Sequence, residues 1–372
     1  TFSSKGAARD RRMGENGMKP SKVKRAIHDE AAPRPRTFTR AVETGDRYAF
    51  LDSFRGLAVI LVVATHVLDY TQMPQDLKTS ITFWVQAIAV PPFFLADGFL
   101  CLWKLERNDK VTYGAYLRRS AGRLLVPWML FSLVYAVFRW IFEEADPSAQ
   151  PVIKGQSPAG VASAIYYSAV SAQLYFLPAL FLLRCALPLT RSLAKADPLM
   201  LVGVWSGYVI VWQAVDLAQY FEQGLDPVLN ACWGMQYYLL GMVLFRYRAL
   251  AHTYAAMLSV ASGAVLVLLK WLVPVAGLFQ QYGYLFFALF AFMSLQGRDP
   301  IFAGLGRYTM EIYLLHAPIP LKAASLVAGR AMESTSVLYY VTVTVLTFLV
   351  AYAAAVLLRR KAAAGLVFGS AS

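Results

Sequence analysis

The sequence predicts an all-α, polytopic integral membrane protein of about ten transmembrane helices, with both termini cytoplasmic. Three observations predict it. Hydrophobic residues make up 58% of the 372 and charged residues only 15%, where a soluble domain carries close to a quarter charged. The apolar residues fall in blocks of roughly 20, the length that crosses a hydrocarbon core of about 30 Å. The connections between blocks alternate between rich and poor in Lys and Arg, the pattern that orients membrane proteins.

Residues 1–47 are polar and basic, with no apolar stripe, and read as a mostly disordered cytoplasmic arm. Twelve of the 35 Lys and Arg lie within the first 48 residues. The net charge of +13 is therefore concentrated in the arm and in short loops. That distribution suits topology and lipid headgroups, and nucleic acid is not expected as a partner. Residues 48–360 form the membrane domain, and 361–372 a short cytoplasmic tail. The expected spans are 49–69, 80–103, 124–142, 173–189, 199–215, 228–246, 253–272, 276–296, 308–328 and 337–358. With the arm inside, the inner connections 104–123, 184–198, 246–252, 297–307 and the tail from 359 carry 16 Lys and Arg. The outer connections 70–79, 143–172, 216–227, 273–275 and 329–336 carry Lys78, Lys154 and Arg330, with Lys322 nearby in the ninth span. Within 143–172 the stretch "GVASAIYYSAV" reads as an interfacial helix. Cys101, Cys185 and Cys232 share no ligand spacing, so they read as small packing residues, and no metal or disulfide framework is expected.

Ionisable side chains inside a span are costly, about 2.5–3.5 kcal/mol each on insertion scales, and each is a site hypothesis by default. The first span, "FLDSFRGLAVILVVATHVLDY", carries Asp52, Arg55, His66 and Asp69. Arg55 and His66 are 11 residues apart. At about 100° per residue this is three turns plus roughly 20°, so both lie on one face, about 16 Å apart along the axis. Topology puts Arg55 in the inner third and His66 near the outer end. His66 is either an interfacial histidine or a proton acceptor. Arg55 is either a structural ion-pair partner or a substrate ligand.

Asp97, in "VPPFFLADGFLCLW", lies at the depth of Arg55 and is expected to pair with it, or with Arg123. Arg118, Arg119 and Arg123 cluster at the inner mouth of the third span. Arg119 and Arg123 share a face, and guanidinium pairs suit phosphate; ordinary topogenic charge is the other reading. In the ninth span, "GRYTMEIYLLHAPIP", Glu311 lies near the inner end. Tyr313 and His316 are one turn apart nearer mid-depth. His28, in the arm, and His252, at an interface, are not expected to act in catalysis.

Five stretches, in order, resemble motifs of the type 3 membrane acyltransferase family of bacterial multi-span O-acyltransferases. They are Arg55-x10-His66, "FFLADGFL" at 93–100, "RRSAGRLLVP" at 118–127, "LYFLPALF" at 174–181 and "GRYTMEIYLLH" at 306–316. The stretches depart from the family pattern in three substitutions and one spacing. Asp97 stands where serine is usual, Arg119 and Arg123 have three residues between them instead of two, Tyr175 replaces tryptophan and Thr309 replaces serine. The resemblance implies transfer of an acyl group, acetyl by default, from cytosolic acyl-coenzyme A to a hydroxyl of a cell-envelope or lipid-linked glycan. It implies a bacterial inner membrane and acyl-coenzyme A as co-substrate. A sugar hydroxyl needs a positioned base, and histidine titrates near working pH, so His66 is expected to take its proton. Arg55 would grip the donor, Arg119 and Arg123 its phosphates, and Tyr313 or His316 would donate to the oxyanion. Asp97 and Glu311 are expected among the residues that bind substrate or acyl-coenzyme A, and an ion pair of Asp97 would also orient the site. The rival reading is a transporter or flippase for a polar or anionic substrate, in which the intramembrane charges mark a path.

Overall fold

The computed structural model describes residues 43–44, 47–107, 112–145, 150–215, 219, 226–272, 277–295 and 298–360. Almost all of the expected arm and the whole 361–372 tail lie outside these residues. So does the connection 273–275. The chain divides into residues 1–46 and 47–372, and the second unit is built of helices. In order these are α1 (Ala49–Val67), α2 (Gln75–Ala89), α3 (Pro91–Arg107), α4 (Tyr113–Ala145), α5 (Pro158–Tyr166), α6 (Phe176–Cys185), α7 (Leu187–Ala194) and α8 (Pro198–Ala214). They continue as α9 (Pro227–Arg246), α10 (Arg248–Thr253), α11 (Ala255–Leu272), α12 (Gly277–Ser294), α13 (Pro300–Gly306), α14 (Thr309–Leu315), α15 (Ile319–Gly329) and α16 (Val337–Arg359).

Four helices start by one device. Ser157, Asp197, Asp226 and Asp299 each precede a proline, and each side chain accepts from a backbone N–H of the first turn. The cap satisfies a donor that the helix leaves open, and proline at the first position lacks an N–H to satisfy. α5 falls on the stretch expected to form a helix between the third and fourth spans.

Every expected span coincides with helix, but the helices differ in length. Five stretches are long and apolar enough to cross a membrane: Ala49–Tyr70, Gln75–Arg107, Tyr113–Ala145, Pro227–Arg246 and Val337–Arg359. There are seven if two bent pairs each count as one span. The fourth expected span bends by 55° between α6 and α7, where Pro188 opens the new helix. The ninth bends by 65° between α14 and α15, at "HAPIP". Proline cannot donate to the helical ladder and clashes with the preceding turn. The remaining expected spans correspond to α8, α11 and α12. At its start α4 runs farther than expected: it begins at Tyr113, so Arg118, Arg119 and Arg123 lie on helix instead of in a loop.

Two crossings bring backbones into direct contact. α3 packs along α9 and α1 against α13. A Cβ at Gly98 would collide with the carbonyl of Tyr238, and one at Gly241 with that of Leu95. Likewise Gly56 faces the Phe302 carbonyl and Gly306 that of Asp52. Small residues allow such approach between membrane helices, where packing rather than water drives association. Gly98→Ala is therefore expected to cost about 1–3 kcal/mol by overpacking. The check is a lower melting temperature of the purified protein in detergent, with Gly114→Ala, which meets nothing within 4 Å, as the unaffected control.

Outward faces are apolar. Leu133, Val137 and Trp140 on α4, Val260 and Val267 on α11, and Leu338 and Val345 on α16 are all exposed. Patches of this extent do not face water in soluble monomers; here they form the lipid-facing surface.

Candidate functional site

The unit has two chemically different ends. At one, ion pairs join helix termini. Glu106, at the end of α3, lies 3.9 Å from Arg246 and 3.4 Å from Arg248. Arg359, at the end of α16, lies 3.3 Å from Glu311 and donates to the Arg307 carbonyl at 2.9 Å. Tyr48, just before α1, packs on Phe99 and Trp103 of α3. Here too sits His252, edge-on to Phe50 with ring centroids 5.5 Å apart; burial lowers its pKa below the usual imidazole value.

At the other end lies a cavity of about 770 Å³. It is lined by the end of α1 (Thr65, His66, Asp69), by α2 (Lys78, Thr82, Gln86) and by the turn entering α6 (Gln173, Tyr175). The end of α8 (Trp212, Gln213), the start of α9 (Asn230, Trp233) and Tyr313 of α14 complete it. The single unbroken helix α1 joins the two ends. It places Arg55 by the ion-paired end and His66 at the cavity, about 16 Å apart at 1.5 Å per residue.

His66 is half-buried and opens on the cavity. Its ring lies beside that of His316, with centroids 5.2 Å apart and planes tilted by 38°. His316 ends α14, at the bend. Three contacts hold that bend. The Tyr313 hydroxyl donates to the Gln173 carbonyl, the Tyr135 hydroxyl to the Leu314 carbonyl, and Gln173 Nε2 to the Ala317 carbonyl at 3.0 Å. So the structure brings together His66, Tyr313 and His316, which are some 250 residues apart in sequence. It also engages the protons that the oxyanion reading would use. The Tyr313 hydroxyl is bound to Gln173, and His316 Nδ1 faces the carbonyls of Tyr313 at 2.8 Å and Ile312 at 3.2 Å.

The other expected residues lie away from the cavity. Arg55 is 3.6 Å from Asp52 and donates to Thr309 Oγ1 at 3.2 Å. Asp97 does not pair with Arg55 or Arg123 as the sequence suggested. Its partner is Arg184, whose Nε lies 3.1 Å from both carboxylate oxygens and whose Nη2 lies 2.5 Å from Oδ1. The reason is helix placement: α9 packs against both α3 and α6 and so sets them side by side. The sequence places Arg184 in the inner connection 184–198. The signal that would have singled it out is its place inside the apolar run "LYFLPALFLLRC". Glu311 is buried and held by Arg359. Arg119 is exposed and Arg123 half-buried on the first turns of α4.

Fold and site define a helical integral membrane protein with a histidine pair beside a cavity at one end of its bundle. The sequence matches the family model of the acyltransferase domain over residues 48–356, and the chain belongs to that family, the type 3 membrane O-acyltransferases. No curated protein and no solved structure matches the chain.

Proposed function

We propose that this membrane acyltransferase moves an acyl group, acetyl in the simplest case, from cytosolic acyl-coenzyme A to a hydroxyl of a cell-envelope or lipid-linked glycan. In this reading the chain spans a bacterial inner membrane ten times, with both termini cytoplasmic and the cavity outside. The observation that carries the reading is His66 opening on a cavity walled by the rings of Trp212, Trp233 and Tyr175 and the amides of Gln86, Gln213 and Asn230. Sugars offer an apolar ring face and a rim of hydroxyls, and such walls suit both. A volume of about 770 Å³ falls within the usual range for small-molecule sites.

The acceptor hydroxyl lies against His66, which takes its proton as the oxygen attacks the thioester carbonyl. The new O–C bond forms, the C–S bond breaks, and the proton passes to the departing thiolate as coenzyme A thiol. Arg55, at the opposite end of the same helix, steadies the donor. Arg119 and Arg123 offer guanidinium groups to its phosphates. Asp97 and Glu311 act one step removed, by holding Arg184 and Arg359. No metal is required in this scheme.

The test supplies purified protein with radiolabelled acetyl-coenzyme A and a membrane glycan fraction. Label in the glycan is expected. Absence of both coenzyme A binding and transfer would favour the transporter reading. The topology has its own check: single cysteines placed in 143–172 and 104–123 are expected to label from opposite sides of the membrane, and labelling from the same side would overturn the ten-span arrangement.

A further inference from the structure

We infer that His316 is the positioning residue for His66: its Nε2 accepts the N–H of the neighbouring His66 ring and so fixes which His66 nitrogen meets the acceptor hydroxyl. The inference rests on the reading of His66 as the base.

Three observations on His316 carry it. The side chain is fully buried, at 0% exposure. Its Nδ1 faces two backbone carbonyls, which can only accept, so Nδ1 carries the proton. In the neutral ring Nε2 is then a bare lone pair. That Nε2 is buried without a hydrogen-bond partner, and the ring beside it is His66. A buried acceptor left unpaired is costly. A histidine present only to fill volume would be better replaced by phenylalanine, which has no such atom.

The arrangement repeats the logic of a nucleophile's base held by a third group, with an imidazole in place of the carboxylate. The nearest carboxylate along the chain, Asp69, is exposed and screened by water. The bracing of residues 313–317 by Tyr135 and Gln173 keeps the His316 lone pair in place. Catalytic hydrogen bonds are commonly long in the empty enzyme and tighten around substrate, and this contact closes in that way. When His66 takes the hydroxyl proton, its second N–H strengthens the bond to His316 and the new positive charge is shared across it. When the proton leaves for the thiolate, both rings return to neutral.

The test compares His316→Phe and His316→Gln with wild type in full-length purified protein, using acetyl-coenzyme A and the glycan fraction. Folding is followed by elution as a single species in detergent. Phe keeps the volume and removes the acceptor, so kcat is expected to fall on the order of 100-fold, the lower range for loss of general-base function, with the acceptor KM little changed. Gln places a carbonyl oxygen near the former Nε2 and is expected to recover to within about tenfold of wild type. A folded Phe variant with near-wild-type kcat would overturn the inference. So would a Gln variant as slow as Phe, or a loss expressed in KM alone. If the Phe variant does not fold, His316→Leu, which also lacks the acceptor, takes its place under the same criteria. A wild type that transfers nothing sinks the acyltransferase reading itself, and this inference with it; a wild type that transfers while both His316 variants match it sinks the inference alone.

Discussion

His66→Ala is expected to lower acyl transfer by about 10²- to 10⁴-fold, the usual contribution of a positioned general base, while leaving the protein folded. The two halves of that expectation have separate grounds. The chemical half follows from the substrate: an alcohol is a weak nucleophile at neutral pH, and the only histidine lining the cavity among the described residues is His66. The structural half follows from its surroundings. The side chain opens on the cavity rather than on packed core, so its removal enlarges a space that is already open and leaves no new sealed void. Rate and melting temperature, measured on the same preparation, separate the two. A rate within a few-fold of wild type would remove His66 from the chemistry.

Asp97→Ala is expected to act in the opposite sense, through stability. The Asp97 and Arg184 side chains are 13% and 18% exposed, and their contact is bidentate and charge-assisted. Removing one partner of a buried pair leaves the other charge uncompensated, typically at a cost of about 3–5 kcal/mol. The Asp97→Ala/Arg184→Met double variant removes both charges and is expected to regain much of that loss, because a hydrophobic pair of similar volume avoids the desolvation penalty. Thermal unfolding in detergent reads both. A loss in the double variant equal to the sum of the Asp97→Ala and Arg184→Met losses would mean that the two residues contribute independently.

Much of this architecture was legible in the sequence, for local reasons. Apolar blocks of membrane length fell on helix throughout, five of them long enough to cross a membrane, or seven with each bent pair taken as one span. The Asp-Pro pairs at 197, 226 and 299 and the prolines of "HAPIP" are local signals of helix starts and of a bend that the unbroken span count did not use. Loop charge grouped 104–123, 184–198 and 246–252 on one side. The contacts agree, because Glu106 meets Arg246 and Arg248, and Arg246 donates to the Ala196 carbonyl. Helical arithmetic on 49–67 put Arg55 and His66 on one unbroken helix.

Partnerships across the bundle were not legible. The pairing of Asp97 with Arg184 depends on α9 setting α3 beside α6, and periodicity within one helix carries no information about that. The approach of His316 to His66 depends on the fold of α14 against α1. The tautomer of His316 is set by carbonyls of its own helix turn. Depth along the membrane normal suggested Arg55 for Asp97; lateral placement, which depth does not contain, decided against it. Trp233, Asn230 and Gln213 are not singled out by the sequence, because each is unremarkable until six chain segments converge around one space.

The central claim is that donor and acceptor meet across this one bundle, with the acceptor at the cavity that His66 lines. Its most direct test is transfer in sealed proteoliposomes of defined orientation, with radiolabelled acetyl-coenzyme A only on the side of residues 104–123 and glycan only on the side of residues 143–172. Wild type is expected to label the glycan, and His66→Ala to fall to background. Labelling that requires both substrates on the same side, or that survives in His66→Ala, would contradict it.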